Sequence, residues 1–284
     1  MTQGAPLNLP DGPLRQKTSF YYALLLLPRR RRLAMETLYR FCWAADEVSD
    51  GPGTPAQKRK DLAAFRAGLT ACLAGRPRGP LFTALRRVVE EFHLSAEPLR
   101  RTVAGVERDL RPLKFRAFAE LHRYARQVAG GPGLSSMEIF GFRDPAHRLY
   151  AENLGVFLQI VNIVRDYRED LALGRQYLPQ EDFRRFGLHP DRLDPRDLAW
   201  RPFVEFQLDR ALGFLDLARH ALTRRQRAGL ATAEAIAAVY GRLERKLRAR
   251  PQAILAGKVS LSPAEKLAAV GGALWRCARW RVWP

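Results

Sequence analysis

The strongest constraint in the sequence is the spacing of its apolar residues, which recur three and four positions apart along most of the chain. The run Leu33, Met35, Leu38 and Phe41 is one example, and this spacing is typical of helices that bury one face. Leu, Ala, Arg and Glu dominate and β-branched residues are few, which favours helices over strands. The pattern predicts an all-α protein.

Clusters of Gly and Pro divide this pattern into segments. The predicted helices cover residues 15–27, 29–50, 55–74, 80–92, 96–110, 115–129, 133–142, 145–172, 200–225, 228–249 and 262–281. Residues 173–199 are predicted to be a long irregular connection, a length that is more often functional than neutral. Residues 1–14 are rich in Gly and Pro and are predicted to be a flexible arm. Residues 15–284 are then expected to form a single domain.

The net charge is strongly positive, at +19, with 48 Lys and Arg against 29 Asp and Glu. Such a field attracts phosphates, whether of nucleic acid, anionic lipid or a soluble diphosphate. The chain has only 3 cysteines, which fits a reducing compartment better than a disulfide scaffold. The longest apolar run, residues 20–27, is too short to cross a bilayer. A cytoplasmic protein is expected, with contact to one membrane face left open.

Asp46 and Asp50 form the first chemical feature. They are four residues apart, so a helix places both on one face. They stand at the predicted end of that helix, where the macrodipole opposes negative charge. A positive partner would offset this cost. The alternative is a pair of carboxylates that simply faces water.

A polar stripe inside an apolar segment forms the second feature. Gln159, Asn162, Asp166 and Asp170 are spaced by three and four residues between Leu, Ile and Val. Burying such a stripe without partners costs several kcal/mol. Its hard oxygen ligands suit Mg²⁺, which takes one or two carboxylates and fills its shell with water and phosphate. The alternative is a polar network between helices.

Two acidic helices that faced each other could hold magnesium and, through it, a diphosphate. Basic residues would neutralise the remaining oxygens, and the candidates are Lys17, Arg165 and Arg175. Apolar and aromatic side chains would line the space between, namely Phe20, Tyr21, Tyr22, Leu24, Phe140 and Phe157. The combination favours a substrate in which a long hydrocarbon carries a diphosphate.

These motifs resemble those of the squalene/phytoene synthase family. The resemblance rests on SFYYA at residues 19–23, RFCWAADEVSD at 40–50, MEIFGF at 137–142, QIVNIVRDYRED at 159–170 and GRQYLP at 174–179. It extends from about residue 17 to about residue 270 and is most similar to the bacterial enzymes that make presqualene diphosphate or squalene. Phytoene and dehydrosqualene synthases follow closely.

The resemblance implies an isoprenoid-synthase-type helical bundle around a central cavity. It implies Mg²⁺-dependent head-to-head condensation of two farnesyl or geranylgeranyl diphosphates through a cyclopropyl diphosphate. By motif position, the metal ligands would be Asp46, Asp50, Asp166 and Asp170. Substrate would be bound by Ser19, Phe20, Tyr22, Gln159, Asn162 and Arg175, and the catalytic residues would be Tyr177, Tyr240 and Arg165.

The chain departs from the family pattern at four positions, of which Glu47, in place of the second aspartate of the first motif, keeps the charge. Trp43 stands where the family has a diphosphate-binding arginine, Arg126 replaces a tyrosine, and Lys258 replaces a late arginine. Arg40 or Arg126 could supply the charge missing at Trp43. A catalytically impaired protein that binds prenyl diphosphates is therefore an alternative to an active synthase.

Cofactors and partners beyond magnesium are less defined by the sequence. No GxGxxG motif is present, so NADPH use stays open, and downstream isoprenoid enzymes are conceivable partners. The segment LWRCARWRVWP at the C-terminus mixes Trp and Arg, which suits a membrane interface or a last helix packed on the bundle. Nucleic acid is disfavoured, because the acidic stripes would repel its backbone.

Overall fold

The computed structural model describes residues 21–110 and 113–282, and helices make up most of this part of the chain. The helices are α1 (Tyr21–Leu24), α2 (Arg29–Asp50), α3 (Pro55–Leu73), α4 (Gly79–Phe92), α5 (Ala96–Arg108), α6 (Phe118–Val128), α7 (Gly130–Phe140), α8 (Pro145–Arg165), α9 (Tyr167–Ala172), α10 (Gln180–Arg185), α11 (Trp200–His220), α12 (Arg224–Gly229), α13 (Ala231–Ala249), α14 (Gln252–Ala256) and α15 (Pro263–Val282). The all-α prediction is confirmed. The predicted arm, residues 1–14, lies outside the described residues.

Helix α8 is the centre of the bundle. It packs against α6, α7, α11 and α13, and its buried residues face every side, including Leu154, Phe157, Ile160 and Val161. A helix that is apolar all round is stable only when neighbours cover it. This explains why residues 154–164 contain only two polar side chains, those of Gln159 and Asn162.

Two short strands connect distant parts of the chain. β1 (Leu113–Lys114) pairs in parallel with β2 (Arg175–Gln176), with Leu113 opposite Arg175. Neither strand is predicted by the sequence pattern, because two residues show no periodicity. The pair brings the segment that follows α5 beside the segment that follows α9.

The helix predicted over residues 145–172 divides at Asp166. Helix α8 ends at Arg165 and α9 begins at Tyr167. The backbone hydrogen bonds continue through the junction, because the Asp166 N–H donates to the Asn162 carbonyl and the Asp170 N–H donates to the Asp166 carbonyl. The polar stripe therefore keeps its helical spacing.

Other boundaries also differ from the prediction. The helix predicted over residues 228–249 is two helices, since a capping box of Thr223 and Gln226 starts α12 before α13. The connection over residues 173–199 contains β2, α10 and a 3₁₀ turn at Pro190–Arg192. Helix α14 was not expected. Each unpredicted element is short, and short elements carry little periodic signal.

The expected break between two helices is present, but it lies at Ala129, and the Gly130–Gly133 segment forms the first turn of the second helix. Helix α6 ends at Val128, and α7 begins at Gly130. Pro132 stands in the first turn of α7, where its missing N–H has no intrahelical partner to lose. The glycines allow α7 to approach α5 closely, because a Cβ added at Gly131 would lie 2.6 Å from the Pro98 carbonyl oxygen.

We expect Gly131→Ala to lower the free energy of unfolding by about 1–3 kcal/mol, since the added methyl meets backbone that cannot move aside. The matched control is Gly213→Ala on α11, where an added Cβ has nothing within 4 Å. That change should stabilise the helix by up to about 1 kcal/mol. Urea titration of both variants checks the prediction, and equal effects would contradict it.

Candidate functional site

Arg175 joins three parts of the chain at one end of the bundle. Its side chain is buried, and its Nη1 donates to Asp50 Oδ1 at 2.6 Å. Its Nη2 donates to the Ser49 and Asp109 carbonyl oxygens, both at 3.3 Å. Helix α2, the end of α5 and β2 are thereby held together. Arg175 is the positive partner that the carboxylates at the end of α2 require.

The acidic ends of α2 and of α8–α9 face each other across this arginine. Burial, followed by repulsion from Asp50, raises the pKa of Asp46 to about 8, although the side chain still reaches water. Burial and the Asp166 charge raise the pKa of Asp170 to about 8, and Asp50 and Asp109 add to that rise. The carboxylates of both helices therefore belong to one electrostatic cluster with too few cations.

Asp109, at the C-terminal end of α5, is a member of this cluster that the sequence interpretation did not include. Its carboxylate accepts hydrogen bonds from the hydroxyls of Tyr124 and Tyr177, at 2.9 Å each. Burial raises its pKa to about 6 even though Arg175 and both tyrosines lower it. An acidic side chain at a helix C-terminus, like Asp50, is the one signal that could have identified it.

Basic side chains neutralise Asp166 at the junction of α8 and α9. Arg165 holds it with two hydrogen bonds, of which Nε to Oδ1 is 2.7 Å. Lys258 Nζ lies 3.2 Å from Asp166 Oδ1 and 3.0 Å from Glu169 Oε2. Burial lowers the pKa of Arg165, but Asp166 and Tyr240 raise it more. Lys258, a departure from the family pattern, is therefore still part of the basic set here.

An apolar cavity of about 200 Å³ extends from the polar stripe into the bundle. Its apolar walls come from α2, α7, α8 and α13, and include Met35, Met137, Phe140, Leu154, Leu158 and Ile236. Gln159, Asn162 and Tyr240 are among its few polar side chains. Asn162 Oδ1 is buried and has no hydrogen-bond partner among the residues that the structure describes. It is a polar contact point at the edge of a hydrocarbon-lined space.

The residues of this cluster fit magnesium. They provide carboxylate and amide oxygens, an unpaired acceptor at Asn162, and raised carboxylate pKa values at Asp46 and Asp170 that a cation would relieve. Within residues 21–110 and 113–282, no three Asp, Glu, His or Cys side chains enclose a metal by themselves. The oxygen donors themselves suit a hard divalent ion, and Mg²⁺ completes its shell with phosphate and water.

Several predicted site residues have other positions. Ser19, Phe20 and Lys17 lie outside the described residues. Tyr22 of α1 packs half-buried against the core and is not among the cavity-lining residues. Arg40 is exposed on α2. Of the predicted walls, Phe140 lines the cavity, whereas Leu24 and Phe157 are fully buried in the core, and the side chain of Tyr21 is not described.

Arg126 does not replace the arginine missing at Trp43. It ion-pairs with Glu152 of α8 at 2.8 Å, and Arg101 holds the same carboxylate at 3.0 Å. Its side chain is 46% exposed. The positive charge beside Asp50 comes from Arg175 instead. A local sequence pattern cannot predict this ion pair, because the two residues are far apart in the chain.

The sequence of the chain matches known proteins over most of its length. The squalene/phytoene synthase family profile matches residues 14–265. Phytoene synthase of Mycobacterium tuberculosis is 31% identical over 261 residues, covering 90% of this chain and 86% of that protein. Presqualene diphosphate synthase of Zymomonas mobilis is 33% identical over 247 residues, covering 83% and 81%. Chloroplastic phytoene synthase 3 of Zea mays is 36% identical over 214 residues, covering 72% of this chain but 50% of that protein.

Solved structures share the fold. A dehydrosqualene synthase superposes with a TM-score of 0.76 at 24% identity, covering 92% of both chains. A squalene synthase of Alicyclobacillus acidocaldarius gives a TM-score of 0.66 at 24% identity, covering 94% of this chain and 90% of that one. These structures show the fold, whereas the profile match and the sequence relatives show that this chain belongs to the squalene/phytoene synthase family.

Proposed function

We propose that the chain condenses two identical isoprenyl diphosphates head to head, through a cyclopropyl diphosphate, to presqualene diphosphate or squalene. The observation that carries the proposal is the juxtaposition of two acidic helix ends with one end of an apolar cavity. A bound diphosphate must be neutralised by cations, and a bound prenyl chain must be surrounded by an apolar wall that excludes water. The polar stripe of α8 reaches both, since Asn162 lines the cavity and Asp166 follows it by one turn.

Asp46, Asp50, Asp166 and Asp170 would hold magnesium, which neutralises the leaving diphosphate when it is bound. Arg165, Arg175 and Lys258 lie beside these carboxylates and would bind diphosphate oxygens as the carboxylates turn to the metal. Asn162 Oδ1 and Gln159 would provide the polar contacts to the bound ligand that the apolar wall cannot provide. Ligand binding would thus give the Asn162 acceptor a partner and relieve the repulsion between the carboxylates.

The cavity would protect the reaction from water. The C–O bond of the first substrate breaks, its diphosphate leaves with the electron pair, and the double bond of the second substrate attacks the allylic cation. A proton then leaves the second substrate as the cyclopropane ring closes. Apolar walls exclude the water that would capture the cation. Tyr240 lines the wall of the cavity, and its aromatic ring would stabilise the cation. Tyr177, whose hydroxyl donates to Asp109, is the second proposed catalytic tyrosine.

Phytoene or dehydrosqualene synthesis is the alternative outcome of the same chemistry. Sequence relatives carry both names, phytoene synthase and presqualene diphosphate synthase, at similar identity. Phytoene synthesis differs from presqualene diphosphate synthesis in the length of the substrate. Both alternatives also differ from it in the fate of the cyclopropyl intermediate. Reduction to squalene would also require NADPH, either at this site or at a partner enzyme.

Product analysis tests the proposal directly. The purified protein is incubated with Mg²⁺ and either farnesyl or geranylgeranyl diphosphate, with and without NADPH, and the products are identified by mass. Presqualene diphosphate, or squalene with NADPH, supports the leading assignment. Phytoene or dehydrosqualene supports the alternative. Tight substrate binding without any product would identify a catalytically impaired family member.

Lys258→Gln should raise KM for the diphosphate substrate about three- to tenfold and change kcat little, because one charge-assisted contact is lost at a half-exposed position. Lys60→Gln, at an exposed position of α3, removes the same charge outside the cluster of Asp166, Arg165 and Lys258 and should leave both constants unchanged. Steady-state kinetics at fixed Mg²⁺ checks the pair. A loss confined to kcat would contradict a binding role for Lys258.

We propose further that the protein works in the cytoplasm at an anionic membrane surface. Its substrates carry hydrocarbon chains, and its products are more apolar still. The diphosphate cluster uses only a few of the 48 basic residues, so most of the positive charge is available for lipid headgroups. None of the helices that the structure describes is both long and apolar enough to span a bilayer.

A further inference from the structure

One face of helix α15, its inner face, packs against the bundle. Val270, Ala273 and Cys277 are buried against it, and the helix packs along α12 and α13. Trp280 lies over the guanidinium of Arg227, 4.6 Å from ring centroid to Cζ. One tryptophan of the C-terminal segment is therefore structural. The opposite side of the helix is exposed, with no such cover from the described residues 21–110 and 113–282.

The outer face of α15 is an uninterrupted apolar arc. At about 100° per residue, one arc of about 120° contains only apolar or small residues, all of them exposed: Ala264, Leu267, Ala268, Gly271, Leu274, Trp275, Ala278 and Val282. Leu267, Trp275 and Val282 are 53%, 67% and 71% exposed. Single exposed apolar residues are ordinary, but a continuous stripe of them marks an interaction surface.

Basic residues flank this arc on both sides. Arg276 and Arg279 border one edge, and Arg281 borders the other, where it also donates to the Ala228 carbonyl. Helix α12, which packs against α15, exposes Arg224 and Arg225. The arc itself contains no acidic residue, and Glu265, the acidic residue of α15, stands in the first turn on the Arg276 side, where Lys246 pairs with it. An apolar stripe between arginines complements acyl chains beneath anionic headgroups.

We infer that the outer face of α15 is the surface on which this protein docks on an anionic bilayer. Trp275, Leu267, Leu274 and Val282 enter the boundary between headgroups and acyl chains, and the flanking arginines bind lipid phosphates. The charge border selects this occupant over a second copy of the chain, because two such faces would bring their arginines together. The inference rests on the proposed membrane association and assigns it to one helix.

Vesicle sedimentation of the full chain, without prenyl substrate, tests the assignment. The vesicles contain phosphatidylcholine alone or with about one-quarter phosphatidylglycerol. We expect binding to the anionic vesicles that weakens with salt. Trp275→Ser should reduce the partition coefficient at least about tenfold. Arg276→Glu with Arg279→Glu should reduce it by about fivefold or more for each residue.

Two control variants make comparable changes outside α15. One replaces an exposed apolar side chain by serine, and the other changes the net charge by the same amount as the double arginine variant. Leu198→Ser removes an exposed apolar side chain that is 93% accessible but lies outside α15. Arg59→Glu with Lys60→Glu reverses two exposed charges on α3. Both should bind within about twofold of the parent protein. Thermal melts confirm that every variant is folded.

Equal binding by the α15 variants and their controls would overturn the assignment. So would sedimentation velocity that shows, without vesicles, a dimer that Trp275→Ser dissociates, since the face would then belong to a second copy. Because no substrate is present, these outcomes are independent of product formation. An inactive protein that binds vesicles through α15 would retain this inference and reject the proposed reaction.

Discussion

Asp170→Asn is expected to lower kcat/KM at least about a hundredfold and, in the absence of Mg²⁺, to raise the Tm by about 2 °C. The activity falls because one of the proposed metal ligands is lost. The stability rises because burial and the Asp166 charge raise the pKa of Asp170 to about 8 in the folded protein, against about 3.9 in an unfolded chain. Ionised Asp170 therefore destabilises the folded state.

The sign of this effect defines the pH range for the measurement. A carboxyl whose pKa is raised on folding destabilises the protein above its unfolded pKa, and the loss is complete above its folded pKa. The advantage of asparagine should thus be absent below about pH 4 and greatest above about pH 8. Melting curves in EDTA across this range, together with steady-state kinetics in Mg²⁺, give both readouts.

Asp216→Asn is the matched control for Asp170→Asn. Asp216 is exposed on α11, so the same change in charge should leave kcat/KM and Tm unaltered. If Asp170→Asn lowered both activity and Tm, the stripe of α8 and α9 would be a structural polar network, which is the alternative that the sequence left open. Opposite signs for activity and stability are typical of a functional site.

The polar stripe could be predicted from the sequence because helical geometry is local. Residues three and four apart must share a face, so Gln159, Asn162, Asp166 and Asp170 had to lie together once the segment was helical. The break at Asp166 does not disturb this, since its backbone hydrogen bonds continue. The same spacing argument identified Asp46 and Asp50, and the resemblance implied their role as metal ligands. The electrostatic coupling of Asp50 with Asp170 agrees with two opposing acidic helices.

Contacts between distant segments could not be predicted in the same way. Arg175 and Asp50 are 125 residues apart, and only the β1–β2 pairing and the end of α5 bring them together. Asp109 carries no periodic signal at all, and its importance follows from two tyrosines that reach it from α6 and from the residue after β2. Both cases depend on how the helices pack, and packing is a property of the whole chain.

Asp109→Ala is expected to reduce kcat about 10- to 100-fold while KM stays within about threefold. Asp109 does not line the cavity, so substrate binding should change little. Its carboxylate holds the Tyr177 hydroxyl at 2.9 Å, and without it this proposed catalytic group loses its orientation. Two buried hydroxyls also lose this acceptor, and Tyr124 keeps only the Tyr177 hydroxyl at 3.2 Å, which should lower the free energy of unfolding by about 1–3 kcal/mol.

A double-mutant cycle separates a positioning role for Asp109 from a merely structural one. If Asp109 acts through Tyr177, the double variant Asp109→Ala, Tyr177→Phe should be no slower than Tyr177→Phe alone, because the group being oriented is already absent. Asp109→Asn should recover part of kcat, since its amide oxygen can still accept one tyrosine hydroxyl. Multiplied losses in the double variant, or a rise in KM larger than the fall in kcat, would contradict this role. Asp109 would then act on the cation cluster through the charge interaction of its carboxylate with Arg175, and Arg175→Lys would reproduce the defect of Asp109→Ala.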